Sequence, residues 1–393
     1  MRTAIKEKNK RLDCSESSFH SLEDIINREL ESNPNRYLYQ DLSSFITKDK
    51  DSAKFINNLV DETILNVPEE GDKLYEIAES RARHTVVNYF IGLALLPFAN
   101  QFFLVSDNRN DYTQSDEFKQ EWLITAAYHD YGYFLKDINN SNLDLERSVT
   151  YYLLCNDYDY GKYPFLHCLE NFREIFPEFF AYEYEEIIAY DEYSRKWRKE
   201  DNSTAELVDH GILGATRAFD SITKSVAKAY SQNIRLATKL VRAKKAMITI
   251  AQHNIYKSSS PEKDNMMPKI LKRKLSQASS IRISTKTPFL LFLSLVDTIE
   301  CVKKFSKAAN SGGYLETLTV LKAVKVAVSE NEIKLDLSEL RSKWNNKHEE
   351  TYTRYIEGIK SLDSWTQFHV CLSPDNKDIL IITLSPLIEV QHV

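Results

Sequence analysis

The sequence predicts a mainly α-helical protein that ends in a small α+β domain, and three observations predict it. Glycine and proline are scarce, nine and ten among 393 residues, so few turns or breaks interrupt its long apolar-periodic stretches. The period switches near the C-terminus from the helical repeat to strict alternation, as strands require. A hydrophobic content of 42% over this length is enough to bury one large core and a smaller second one.

The chain divides into three parts: an N-terminal helical extension over 1–70, a helical domain over 71–310 and a small α+β domain over 315–393. In the first, SFHSLEDIINREL reads as one capped amphipathic helix that packs on the outside of the core. In the second, Thr85 to Ser106 carries no charged residue and is long enough to cross a bilayer. Asn88, Pro97, Asn100 and Gln101 interrupt that run, so it reads as a buried helix that breaks near Pro97, with a membrane span as the alternative. From Asp137 to Asn202 lies an insertion-like region dense in Tyr and Phe, and from Asn254 to Val296 a long basic connector. In the third part, VKVAV and IKLDL flank SENE, and FHVCL and ILIITL flank SPDNKD, as two hairpins would. Between them LSELRSKWNNKHEETYTRYIEGIKSL reads as one charged helix, giving a ββαββ unit. That unit carries no catalytic constellation, and dimerisation into a homo-oligomer, regulation or simple packing are its candidate roles.

The chemistry concentrates in the helical domain. Metal-binding residue types recur in order along apolar segments: His84, adjacent His129 and Asp130, His210, His253 and Asp297. Imidazole and carboxylate suit Zn, Mn, Fe or Ni, and an adjacent His-Asp pair can ligate one ion while its carboxylate bridges to another. Six ligands are too many for one catalytic ion, which needs open positions, so two divalent ions are the natural reading. Each histidine taken alone has a plainer one. His84 precedes Val87 and Ile91 on one helical face and would more often be a satisfied core histidine than a ligand. Asp130 follows Leu123, Ala126 and Ala127, and Asp297 follows Leu290 and Leu293. A buried aspartate needs a partner, and a metal ion supplies one for both.

At these positions the sequence resembles the HD-domain superfamily of metal-dependent phosphohydrolases, in its two-metal form with His, His-Asp, His, His and Asp in that order. The matching segments are SRARHTVVNYF, WLITAAYHDYGYFLKD, LVDHGILGA, ITIAQHNIY and LLFLSLVDTIE, which together span roughly 80 to 305. His129-Asp130 followed by an aromatic or aliphatic residue and Gly132 is the most specific match, whereas Tyr133 stands where lysine is usual in that family. The resemblance implies an HD-domain-like helical core and a phosphohydrolase or phosphodiesterase that cleaves a phosphoester of a nucleotide or cyclic dinucleotide with a bridging hydroxide. It implies His84, His129, Asp130 and Asp297 on one ion, Asp130 bridging, and His210 and His253 on the second, with Asp130 and His129 at the catalytic centre. Mn, Fe, Ni, Zn and Mg all remain open as the metal. Some members oxidise substrate at two irons, so a di-iron oxygenase is the alternative, and a catalytically silent nucleotide or metal sensor is a third reading.

Lys244 and Lys245, two turns before His253, are candidate phosphate contacts, and a solvated helix face explains them nearly as well. The basic connector offers Lys257, Lys263, Lys269, Lys272, Arg273, Lys274, Arg282 and Lys286 against Glu262 and Asp264, either for phosphate or as a solvated loop. Tyr128, Tyr131 and Tyr133 surround the His-Asp pair, where a hydroxyl could bind substrate, although core packing suits at least two of them. His20, His167, His348 and His369 lack that setting and read as structural or surface residues.

The formal charge of -6 argues against general nucleic-acid coating, and a strand partner is not favoured. Five scattered cysteines without CxxC spacing suggest neither a disulfide framework nor a zinc ribbon. MRTAIKEKNKRLD has no apolar core region, so a signal peptide is not expected and the cytoplasm fits. A glycine-rich phosphate loop and a nucleophile motif are both absent from the sequence.

Overall fold

The computed structural model describes residues 18–32, 81–107, 116–131, 210, 211, 214, 215, 218, 246–253, 288–306, 315–344 and 349–384. Within them the protein is mainly helical, with one five-stranded antiparallel sheet in its C-terminal part.

The chain enters through a two-residue strand β1 (His20–Ser21) and helix α1 (Leu22–Ser32). Ser21 caps that helix: its Oγ accepts from the Asp24 backbone N at 3.1 Å, and Asp24 Oδ2 accepts in return from Ser21 N at 3.3 Å. This reciprocal pair satisfies amide groups that a helix start leaves without partners. Leu22, Ile26 and Leu30 are buried on the helix's inner face.

Helices α2 (Arg81–Ala94) and α3 (Leu96–Asp107) meet at Leu95, where helical geometry lapses one residue before Leu96. Pro97 therefore sits in the first turn of α3, where its missing N–H costs nothing. Among the described residues no helix is long and apolar enough to cross a membrane. Helix α4 (Asp116–Tyr128) packs on α2, and the Trp122 indole N–H donates to Tyr89 O at 2.9 Å. Helix α5 (Pro288–Ile299) runs through the middle of this bundle and contacts α2, α3 and α4. Its apolar side chains lie all round, as a helix without a solvent face must have. Phe118 stacks on Phe289 with ring centroids 5.1 Å apart, and Trp122 packs against Phe292 at 4.6 Å.

The basic connector read as reaching Val296 is a correction, because the chain is helical from Pro288. A buried run from Pro288 to Val296, apolar but for Ser294, can satisfy its amides only within regular structure.

After α6 (Val302–Phe305) and α7 (Thr317–Ala323) come β2 (Lys325–Val328), β3 (Glu332–Asp336), β4 (Phe368–Leu372) and β5 (Ile379–Leu384). All four strands lie where alternation predicts them, and Ile333, Leu335, Leu380 and Ile382 are the buried alternates. The sheet order is β1-β2-β3-β5-β4, so the second hairpin joins the first through β3 and β5. The N-terminal segment supplies the opposite edge, with His20 paired to Val326, which the sequence does not announce.

The single helix expected between the hairpins is instead α8 (Ser338–Lys343), α9 (Glu349–Lys360) and α10 (Leu362–Trp365). Trp344 leaves helical geometry at ψ 115° and seats its ring edge-on against Phe305 at 4.8 Å. Burying that indole outweighs the propensity for one continuous helix. Tyr355 of α9 donates from its hydroxyl to Ile299 O at 2.5 Å, so the α+β part braces the end of α5.

Candidate metal centre

Five helical segments carry the candidate ligands to one place. His84 lies in the first half of α2, His129 and Asp130 just past the last residue of α4, and Asp297 near the end of α5. His253 follows the helical residues 246–252, and His210 lies in another helical segment. Gly211 and Gly214 make that last approach close. A Cβ at Gly214 would stand 2.2 Å from Tyr128 O, and one at Gly211 would stand 2.6 Å from Ile250 O and 2.7 Å from the His253 ring.

The result is two adjoining groups, His84 with His129 and Asp297, and Asp130 with His210 and His253. Within each group the ligand atoms lie within 4.8 Å of one another, a spacing that could hold a metal ion. The four histidines are between 0% and 6% exposed.

Three of the four rings are aimed by their other nitrogen. His129 Nδ1 donates to Ala126 O at 2.8 Å and His253 Nδ1 to Ile250 O at 2.7 Å, both carbonyls of the helix end just behind the ring. A carbonyl can only accept, so Nδ1 carries the proton and Nε2 presents its lone pair. His84 Nδ1 donates to Glu300 Oε2 at 2.6 Å. Glu300 is itself held by the backbone N–H groups of Val302 and Lys303, at 2.6 and 3.1 Å. Donation from the rear nitrogen to a carboxylate or carbonyl is the usual support of a metal-bound imidazole, fixing both tautomer and direction.

The Nε2 atoms then meet. His84 and His129 stand 3.3 Å apart through Nε2, and His210 and His253 3.1 Å. Two lone pairs at that distance repel unless a cation or a proton lies between them. Donors about 2.05 Å from a shared ion at angles of about 90–110° stand about 2.9–3.4 Å apart. The observed separations fall in that window.

Asp130 spans both groups. Its Oδ2 is 3.4 Å from His84 Nε2, and its Oδ1 is 3.5 Å from His210 Nε2 and 3.8 Å from His129 Nε2. The Lys303 ammonium, 38% exposed, reaches Asp130 Oδ2 at 3.0 Å. Burial pushes the Asp130 carboxyl up, but Lys303, His129, the His210 hydrogen bond and His84 together hold it well below the usual carboxylate range. At His84, burial and Lys303 oppose a positive charge, yet Glu300 and the hydrogen bonds to Asp297 and Glu300 outweigh them and raise its pKa. Asp130, Asp297 and Glu300 count three negative charges against one on Lys303, leaving -2 with neutral imidazoles. Buried charge of that size calls for cations, so the donor set and its charge both fit divalent metal.

All six sequence-predicted ligands thus converge. Tyr128 and Tyr131 are buried, 5.8 Å apart between ring centroids, as packing residues are. Gly132, Tyr133, Lys244, Lys245, the region from Asp137 to Asn202 and the basic residues of the connector lie outside the described residues. Asn88, Glu300 and Lys303 join the site without having been singled out as site residues. The legible signal for the last two is a Glu and a Lys three and six residues beyond Asp297, directly after a run of buried apolar residues.

No protein-family model, curated protein or solved structure matches this chain.

Proposed function

We propose that the protein is a metal-dependent phosphohydrolase with an HD-domain-like centre, cleaving a phosphoester of the nucleotide or cyclic-dinucleotide class. One observation carries the reading: rear-anchored imidazoles present Nε2 atoms in two adjoining groups, with one Asp130 oxygen facing each group. The order of these residues along the chain supports the likeness to that superfamily.

His84, His129, Asp297 and Asp130 would hold one ion, and His210, His253 and Asp130 the other. Two such ions supply an activated water near neutral pH and offset the charge that grows on a phosphoryl group. The chain's own groups do the positioning. Glu300 fixes His84, and the carbonyls of Ala126 and Ile250 fix His129 and His253. Lys303, partly exposed beside Asp130, would meet a phosphate oxygen. It offers from α6 the kind of charge that Tyr133 cannot.

Hydrolysis of a generic phosphodiester by chelator-free, Mn²⁺-loaded protein tests the reading, with Asp130→Ala as the control. Metal-dependent turnover lost in the variant is the expected result. No turnover with two ions bound would overturn it, and oxygen consumption by the iron-loaded form would point instead to oxygenation.

A further inference from the structure

Asn88 lies one helical turn after His84 on α2 and is fully buried. Its carboxamide end faces the first ligand group, with Nδ2 3.1 Å from His84 Nε2 and 3.2 Å from His129 Nε2. The other end of the same amide, Oδ1, is buried with no hydrogen-bond partner among the described residues. A buried amide oxygen left in this way costs free energy, and native interiors rarely leave one without a compensating role.

The spacing around this amide suggests the role. Among the Nε2 atoms of His84 and His129, Asp297 Oδ1 and the inward atom of the Asn88 amide, the ring nitrogens stand 3.3 Å apart, 3.1 and 3.7 Å from the Asp297 oxygen, and 3.1 and 3.2 Å from the amide atom. Four donors arranged tetrahedrally at about 2.05 Å from one ion stand about 3.3 Å apart. The amide atom therefore occupies the place of a fourth donor and not that of a bystander packed behind the rings.

We propose that Asn88 is a further protein ligand of the first ion, through Oδ1, beside His84, His129, Asp297 and the bridging Asp130. A half-turn of the carboxamide exchanges its nitrogen and oxygen with the rest of the side chain in place. In one orientation the N–H groups face the imidazole lone pairs. In the other the orphaned oxygen faces the ion, and amide oxygen is a normal hard donor to divalent metals. The amide thus guards two inward-facing lone pairs in one state and completes the coordination in the other. This inference rests on the dinuclear reading above.

The test is Co²⁺ binding by the full chain, followed by visible absorption and by competition with a chelator, in Asn88→Leu and Asn88→Asp. Leu keeps the volume and removes the donor; Asp keeps an oxygen and removes the N–H. Wild type is expected to take up two ions. Asn88→Leu should weaken one of them at least about 10-fold and change the Co²⁺ band, whereas Asn88→Asp should retain both ions with affinity restored. If Asn88→Asp fails alongside Asn88→Leu, the N–H groups matter and the ligand role is overturned. Unchanged affinity and spectrum in Asn88→Leu overturn it too. Should Asn88→Leu fail to fold, as read by circular dichroism, the Asp variant decides alone. Wild type that takes up no Co²⁺ would instead overturn the dinuclear reading itself.

Discussion

Glu300 shows how much of the site depends on groups that would never touch a metal. It accepts from His84 Nδ1 and from two backbone N–H groups at the start of α6, so its orientation is fixed from three sides. Glu300→Gln keeps the shape and removes the charge that makes His84 a strong donor. Metal affinity should fall about 10–100-fold with the helical circular dichroism unchanged, as read by chelator competition. Lys303→Met should leave both ions bound and lower kcat/KM for a phosphoester by about 10-fold, the worth of one partly exposed charge-assisted hydrogen bond. Loss of metal in that variant would mean that Lys303 acts through Asp130. The raised pKa of His84 carries a sign of its own. A histidine whose folded pKa exceeds its unfolded value near 6.5 contributes stability that is fully present below about pH 6.5 and lost as pH rises through the folded pKa. Metal binding needs the neutral ring and strengthens with pH. Thermal melts above about pH 6.5 should therefore fall with pH in chelator and rise with pH in excess metal; parallel slopes would contradict the shared use of His84.

Among the elements, the helical segment that carries His210 approaches the others through glycine. Gly214→Ala places a methyl group 2.2 Å from Tyr128 O, a backbone atom that cannot swing aside. The expected cost is about 1–3 kcal/mol in chemical denaturation, with the second ion weakened more than the first because His210 is carried away. A variant as stable as wild type would show that the helix can shift freely. The same scale shows what the sequence makes legible. Strands β3 and β5 announce themselves because their buried residues alternate, as Ile333 and Leu335 do against Leu380 and Ile382. The break at Trp344 is invisible locally, since its cause is Phe305, a residue far away in the chain. Strand β1 escapes for a related reason: two residues are too few to show a period, and the pairing of His20 with Val326 exists only once the C-terminal sheet is present.

Across the whole molecule, the candidate ligands are readable because each is a polar residue in apolar company, which needs a reason to be there. His84, Asp130 and Asp297 meet that description, and the fold brings them within hydrogen-bonding range of one another or close to it. Their supports are less readable. Asn88 looks like one more polar interruption of the run from Thr85 to Ser106, and Glu300 like the end of a helix, until α2 and α5 are laid side by side. The pattern of Nε2 convergence is a tertiary property, set by carbonyls at two helix ends and by one buried carboxylate. The central claim is that this convergence holds two ions. Its most direct measurement is the number of divalent ions retained per chain after loading and desalting, with Asp130→Ala beside wild type. Two ions per wild-type chain and a loss in the variant are predicted; fewer than one ion per wild-type chain would contradict it.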